Sequence, residues 1–364
     1  MKRIIALLLA LAMCLAFCSC GKSDDDEKSS KKSKVTKQVE ENDTTEKSTD
    51  RYEEPADKTP VIKLGEKVTS DKCEFTIDYI EITDDVIPPS PESWYSHYEA
   101  ENGKVYVDFC IAYKNTDNAN VGADDVISGK LIYSGNYEFT GFSIIEEDNR
   151  SDFTYSNITN ITPLSTEYVH YLFEVPEEVQ TSTSKIVLNM NIGGSDYKVV
   201  VREGSTGISE NADSKPGKTS GVVALGEKVV TKNSEFNIDY AKITNDVVPP
   251  KPGDWYSHYE ADSGKVYVDV CFAYKNTSGS KVGADDVITA AKLKYANKYD
   301  YTGFSMIEED SRSDFTYSNI TNIIPLSTEY VHYLFEVPEE VGNSNDSIVI
   351  SFTIDGNNYT YEVR

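Results

Sequence analysis

One domain-length passage occurs twice in this chain, and that constrains its fold more than any local signal. Leu64-Gly65-Glu66-Lys67-Val68 returns as Leu225-Gly226-Glu227-Lys228-Val229, a spacing of 161 residues (225 minus 64). One residue inserted near Ala290 or Ala291 widens the spacing to 162, and the match runs on to Arg202 and Arg364 (364 minus 202). Solenoid repeats are much shorter and share a core with their neighbours, so a period this long implies units that each bury their own core. Two units are expected, residues 60–202 and 221–364, joined by a polar linker containing Gly and Ser at 203–220. A unit of this size buries roughly two thirds of its unfolded surface, so each should fold alone, as beads on a string.

Inside each unit the hydrophobic period is two. In residues 104–114, Val105, Val107, Phe109, Ile111 and Tyr113 fall on one face, and Tyr106, Asp108, Cys110 and Ala112 on the other. Val266, Val268, Val270, Phe272 and Tyr274 repeat the first face in the second unit. Val169, Tyr171, Phe173 and Val175 alternate with Tyr168, His170, Leu172 and Glu174. Gly193-Gly194 separates two further apolar runs as a hairpin turn would, and Asp355-Gly356-Asn357 echoes it. No segment carries a long helical period between capping residues. About seven or eight short strands per unit indicate an all-β chain of two β-sandwiches.

The beginning of the chain is an address. Met1, Lys2 and Arg3 precede an apolar run, 4–17, too short to span a bilayer comfortably, which is the layout of a signal peptide covering 1–19. Phe17-Cys18-Ser19-Cys20-Gly21 resembles the lipobox of bacterial lipoproteins, with Cys20 as the acyl acceptor. Phe17 is unusual three residues before that cysteine, and ordinary secretion after cleavage near Ser19 is the alternative. Two or three acyl chains, at about 0.8 kcal/mol per buried methylene, would hold the protein at the extracytoplasmic face of the cell membrane. Residues 20–59 are hydrophilic and expected to form a disordered tether, with a mean reach of about 35 Å for a flexible coil.

A net charge of −26, from 35 Lys and Arg against 61 Asp and Glu, repels phosphate backbones and argues against nucleic acid as a partner. Beyond Cys14, Cys18 and Cys20 only Cys73, Cys110 and Cys271 remain, an odd number. Ser234 stands where the first unit has Cys73, so no disulfide is expected to be required by the fold.

Several motifs recur in a characteristic order: the opening Leu64-Gly65-Glu66-Lys67-Val68; Gly103-Lys104-Val105-Tyr106-Val107 leading to Tyr113-Lys114-Asn115; and Pro163-Leu164-Ser165-Thr166-Glu167 before Leu172-Phe173-Glu174-Val175-Pro176. Together they resemble a family of bacterial extracellular domains of unknown function that is grouped by fold with the mycobacterial immunoprotective antigen. The resemblance covers both units nearly end to end. It implies two tandem immunoglobulin-like sandwiches on a lipoprotein and brings no catalytic residues, ligand or partner. The aromatic, proline-rich insert before Gly103 departs from the family pattern.

Three groups of residues could carry chemistry. The four histidines, His97, His170, His258 and His332, sit in no nucleophile elbow, zinc helix or Cys-His cluster, and His170 and His332 read as surface or cross-strand residues among tyrosines. Glu146, Glu147, Asp148 and Asp152, near Asp124 and Asp125, recur as Glu308, Glu309, Asp310 and Asp314, near Asp285 and Asp286. Their carboxylates could gather calcium, although the Asp-x-Asp-x-Asp-Gly spacing is missing and Arg150 or Arg312 could simply pair with them. The third group is Trp94, Tyr95, His97 and Tyr98, repeated as Trp255, Tyr256, His258 and Tyr259. Aromatics with polar tips suit contact with proteins or sugars; the alternative is that each tryptophan plugs one end of its sandwich.

Divergence between the units is uneven. Residues 140–179 and 302–341 differ only at Ile144/Met306, Asn149/Ser311 and Thr162/Ile324, whereas 8 of 23 positions agree between 180–202 and 342–364. A shared surface task or gene conversion would each explain that. The expectation is a non-enzymatic lipoprotein that binds or adheres to a protein or cell-wall glycan and needs no cofactor. A calcium-stabilised structural or sensory ectodomain is the main rival, and an unrecognised hydrolase a weaker one.

Overall fold

The computed structural model describes residues 57–147, 149–204, 220–309 and 311–364. The signal segment, Cys20 and most of the tether therefore lie outside the described residues. The chain is all-β, as its alternation requires. In the first copy a six-stranded sheet has the order Asp152–Tyr155, Phe142–Glu147, Thr166–Pro176, Lys104–Asn115, Cys73–Thr83, Lys67–Thr69. It packs on a five-stranded sheet ordered Val61–Ile62, Ser195–Arg202, Ile186–Ile192, Ile127–Tyr133, Tyr137–Thr140. The second copy repeats both strand orders.

The alternating residues build the core as expected. Val105, Val107, Phe109, Ile111 and Tyr113 meet Val169, Tyr171, Phe173 and Val175 from the neighbouring strand, and Leu131, Ile186 and Leu188 from the facing sheet. Gly193 and Gly194, at φ 61° and 82°, form a turn whose twist suits a two-residue hairpin, and Asp355 and Gly356, at 50° and 74°, do the same. The one-residue insertion in the second copy becomes a bulge between Thr289 and Lys292, with Ala290 at φ 52°, so pairing resumes in register beyond it. Among the described residues no helix is long and apolar enough to cross a membrane.

The second face of the Lys104–Asn115 strand is covered as well: Tyr106, Asp108 and Cys110 are all buried. The proline-rich insert folds across that face: Asp85–Val86 pairs with Tyr98–Glu99, and Val86, Tyr98 and Ala100 pack with Tyr106, Ile144, Phe153 and Leu172 as a small second core. The two copies touch each other within the described residues. Residues 57–364 form one compact unit, with the Glu138 amide donating to the Gly279 carbonyl at 2.7 Å and Lys104 Nζ lying 3.4 Å from Glu329 Oε1.

A bulge in the Cys73–Thr83 strand prepares the outer face. Phe75 and Ile77 point into the main core, the pairing slips between Ile77 and Tyr79, and thereafter Ile80 and Ile82 lean inward. The extra residue, Asp78, shifts the alternation by one. Tyr79 and Glu81 therefore join Asp108 and Cys110 on the outer side, and Tyr240 and Lys242 do so in the second copy after a slip at Asp239.

Candidate functional site

Under the second core lies a buried ionic network that the sequence reading missed. Antiparallel pairing sets His170 opposite Cys110 on one side and opposite Ile144 on the other. Asp108, two residues from Cys110, shares its face. His170 is fully buried, with Nδ1 2.9 and 3.0 Å from the two Asp108 oxygens and Nε2 2.9 Å from Glu146 Oε1. A carboxylate can only accept here, so both ring nitrogens must donate and the ring is an imidazolium. Arg150 forks onto Glu146, Nε to Oε2 at 2.6 Å and Nη2 to Oε1 at 3.0 Å, and Nη2 also reaches Asp78 at 2.9 Å. Its guanidinium lies 3.7 Å from the Tyr168 ring centre. The rings of Phe153 and Tyr79 meet His170 edge-on at 5.0 and 5.7 Å.

The second copy reproduces this with His332 bonded to Asp269 at 2.8 Å and to Glu308 at 2.7 Å, and Arg312 on Glu308 and Asp239. One partner changes. Lys242 stands opposite Asp269 with Nζ 3.4 Å from Oδ2, whereas Glu81 stands opposite Asp108.

Burial opposes the charged ring, but the bonds from Asp108, Cys110 and Glu146 outweigh it and hold His170 well above the ordinary imidazole range; His332 is raised in the same way. Burial also works against the Glu146 carboxylate, yet His170 and Arg150 hold it below the usual range. The Cys110 thiol is pushed up, chiefly by burial. Backbone strain collects here too: Asn149 and Arg150 have φ of 60° and 70°, and Ser311 and Arg312 62° and 74°, the left-handed region that side chains with a Cβ avoid.

The aromatic loops project from this network. Trp94 is 90% exposed and Trp255 92%, so neither plugs its sandwich. Their flanks are fixed. Asp152 Oδ1 accepts the Ser96 amide at 2.6 Å, His97 Nδ1 lies 2.7 Å from Asp85 Oδ1, and Tyr98 packs against Phe142 and Phe153. The Ser90 amide donates to the Arg150 carbonyl at 3.0 Å. Ser257, His258 and Tyr259 are held by Asp314, Asp246, Phe304 and Phe315 in the same manner. Tyr95 and Tyr256 are exposed beside the tryptophans.

The acidic residues that could gather calcium or pair with arginine are distributed among different tasks. Glu146 and Glu308 are buried on Arg and His, Asp152 and Asp314 cap the aromatic loops, and Glu147 and Glu309 are exposed on the opposite side of the strand. Asp148 and Asp310 lie outside the described residues. Asp124 and Asp125 sit in a short helical turn, 123–125. His170 and His332, expected as surface or cross-strand residues, stand cross-strand to Cys110 and Cys271 but are fully buried, because the insert roofs their face in each copy. Cys73, Cys110 and Cys271 are free thiols, in keeping with a fold that requires no disulfide.

The described chain is thus an all-β protein of sandwich architecture. Solved structures that it is similar to include an uncharacterized β-sandwich protein from Clostridium difficile 630, 36% identical over 41% of this chain and 99% of that one, with a TM-score of 0.39. A conserved hypothetical protein from Bacillus anthracis is 14% identical over 37% of this chain and 92% of its own, with a TM-score of 0.27. No family model matches the chain, and no curated protein does.

Proposed function

We propose that this is a non-enzymatic extracellular lipoprotein of the immunoglobulin-like type, anchored through Cys20, that binds a protein or a cell-wall glycan through its paired aromatic loops. The observation that carries this reading is the exposure of Trp94 and Trp255 on loops whose neighbouring residues are tied down. A large exposed apolar ring normally buries itself unless another molecule will cover it, and a loop already ordered gives up little entropy on contact. Two such loops on one chain add avidity for a ligand displayed on a surface.

Intrinsic fluorescence reports on these loops alone, because Trp94 and Trp255 are the only tryptophans. Emission should lie toward the red and be quenched by acrylamide. Insoluble peptidoglycan, or immobilised protein from a host-cell surface fraction, should protect it. Trp94→Ala with Trp255→Ala should abolish retention while changing stability by less than about 0.5 kcal/mol, as for exposed substitutions in general. Blue-shifted, quencher-resistant emission, or full retention of the double variant on both surfaces, refutes the assignment.

A further inference from the structure

We infer that each copy contains a buried binding site for a thiophilic divalent transition metal, zinc by its chemistry, formed by Cys110, Glu146 and His170 in the first copy and by Cys271, Glu308 and His332 in the second. One ligand atom from each of the three residues lies within 4.8 Å of the others, and all six residues are buried. A thiolate, an imidazole nitrogen and a carboxylate oxygen form a borderline-soft set that suits zinc and disfavours calcium or magnesium, which take oxygen ligands.

The surroundings fit a metal site. Asp108 holds Nδ1 of His170, which leaves Nε2 facing Glu146, the arrangement by which a carboxylate orients and strengthens a ligating histidine. Arg150 does the equivalent for Glu146 by bonding both of its oxygens.

The cysteine is the softest member of the cluster. Asp, His, Glu and Arg form close ion pairs with one another, whereas the Cys110 thiol makes only a long contact, Sγ to Glu146 Oε1 at 4.0 Å. Its core-facing neighbours change between copies, Phe109 to Val270 and Ile111 to Phe272, and the core cysteine Cys73 becomes Ser234. Asp108 and Cys110 nevertheless reappear as Asp269 and Cys271. In the second copy the Tyr240 hydroxyl is buried beside the cluster without a hydrogen bond, and Asp269 Oδ2 has only the Lys242 ammonium at 3.4 Å.

Charge balances as well. A divalent ion would displace the Nε2 proton of the imidazolium and the thiol proton, and both protons leave to solvent. Two positive charges enter as two leave, so the buried network keeps its net charge, and Asp108 and Arg150 keep their bonds.

The test uses the full chain, stripped with EDTA and titrated with cobalt(II) as a spectroscopic substitute for zinc. The expected result is uptake of about two equivalents with a sulfur-to-cobalt charge-transfer band, bleached by added zinc. Cys110→Ser and Cys271→Ser should each remove half the band, and Cys73→Ser none. If a serine variant misfolds, the wild-type band decides alone, supported by native mass spectrometry showing two zinc ions per chain. Absence of the charge-transfer band in folded wild-type protein overturns the site, as does uptake that persists in the Cys110/Cys271 double variant.

Discussion

Replacing His170 with Gln removes the central cation of the first network. Asp108 is 1% exposed and Glu146 is also buried, so neither can turn to water when the imidazolium is lost. Glutamine has one donating nitrogen where the imidazolium has two on opposite sides of its ring, and it carries no charge. Breaking a buried ion pair by removing one partner costs about 3–5 kcal/mol, because the remaining charge is left uncompensated. For a cooperative unit the length of residues 60–202, unfolding entropy of about 2.1 cal/mol/K per residue converts this to a Tm lower by roughly 10–17 °C. Thermal unfolding at pH 7 in EDTA, followed by circular dichroism, measures it. His332→Gln should cost less, since Lys242 lies 3.4 Å from Asp269 and partly compensates it.

The pH dependence has a defined sign. A histidine whose folded-state pKa is raised contributes stability that is complete below its unfolded value, near 6.5, and is lost as pH rises through the folded value. The wild type should therefore lose stability on the alkaline side, and His170→Gln should lose less there. A His170→Gln protein within about 1 kcal/mol of wild type at neutral pH refutes the imidazolium assignment.

Residues 60–202 expressed alone should give β-rich circular dichroism and one cooperative transition, identical with and without reductant, since Cys73 and Cys110 are free; a transition that disappears on reduction contradicts this. Changing Cys20 to Ala should release the protein into the medium or leave an uncleaved precursor, while the wild-type N-terminal peptide carries an acyl mass; an unmodified peptide starting elsewhere rules out the anchor. Glu81→Lys should raise the stability of the first copy by about 0.2–1 kcal/mol, the range for an opposite-charge cross-strand pair, because it places a cation opposite Asp108. Unchanged urea midpoints would show that the pair is screened.

The main core was legible because alternation is a local property: Val105 to Tyr113 declare one face without reference to any other segment. The outer face was not, because whether Asp108 meets water depends on a segment before the strand folding back over it. Nothing in residues 84–100 announces that Val86 and Tyr98 will roof His170. One signal was available. In the Cys73–Thr83 strand the apolar residues change parity, Phe75 and Ile77 before Asp78, Ile80 and Ile82 after it, which is the mark of a bulge. That shift places Tyr79 on the same face as Cys110 and raises the question of what an aspartate, a cysteine and a histidine share there. For the acidic stretch, alternation separates the neighbours: adjacent residues on a strand point to opposite sides, and Glu146 turns inward to Arg150, the pairing the sequence left open beside calcium.

The two copies share geometry but differ in charge, and this bears on what a paired site can bind. In the first network Asp78, Asp108 and Glu146 face His170 and Arg150, leaving one net negative charge, to which Glu81 adds another. In the second, Asp239, Asp269 and Glu308 face His332, Arg312 and Lys242, and the sum is zero. The same strand-loop segment that carries Arg150 also fixes the Trp94 loop, through the Arg150 carbonyl and Asp152. Equivalent aromatic surfaces therefore stand over supports that differ by two charges. A ligand recognised only by aromatic stacking would occupy both alike, with avidity set by spacing. One that also carries a positive charge would prefer the first, so different salt dependence of binding at Trp94 and at Trp255 would identify a cationic ligand before its structure is known.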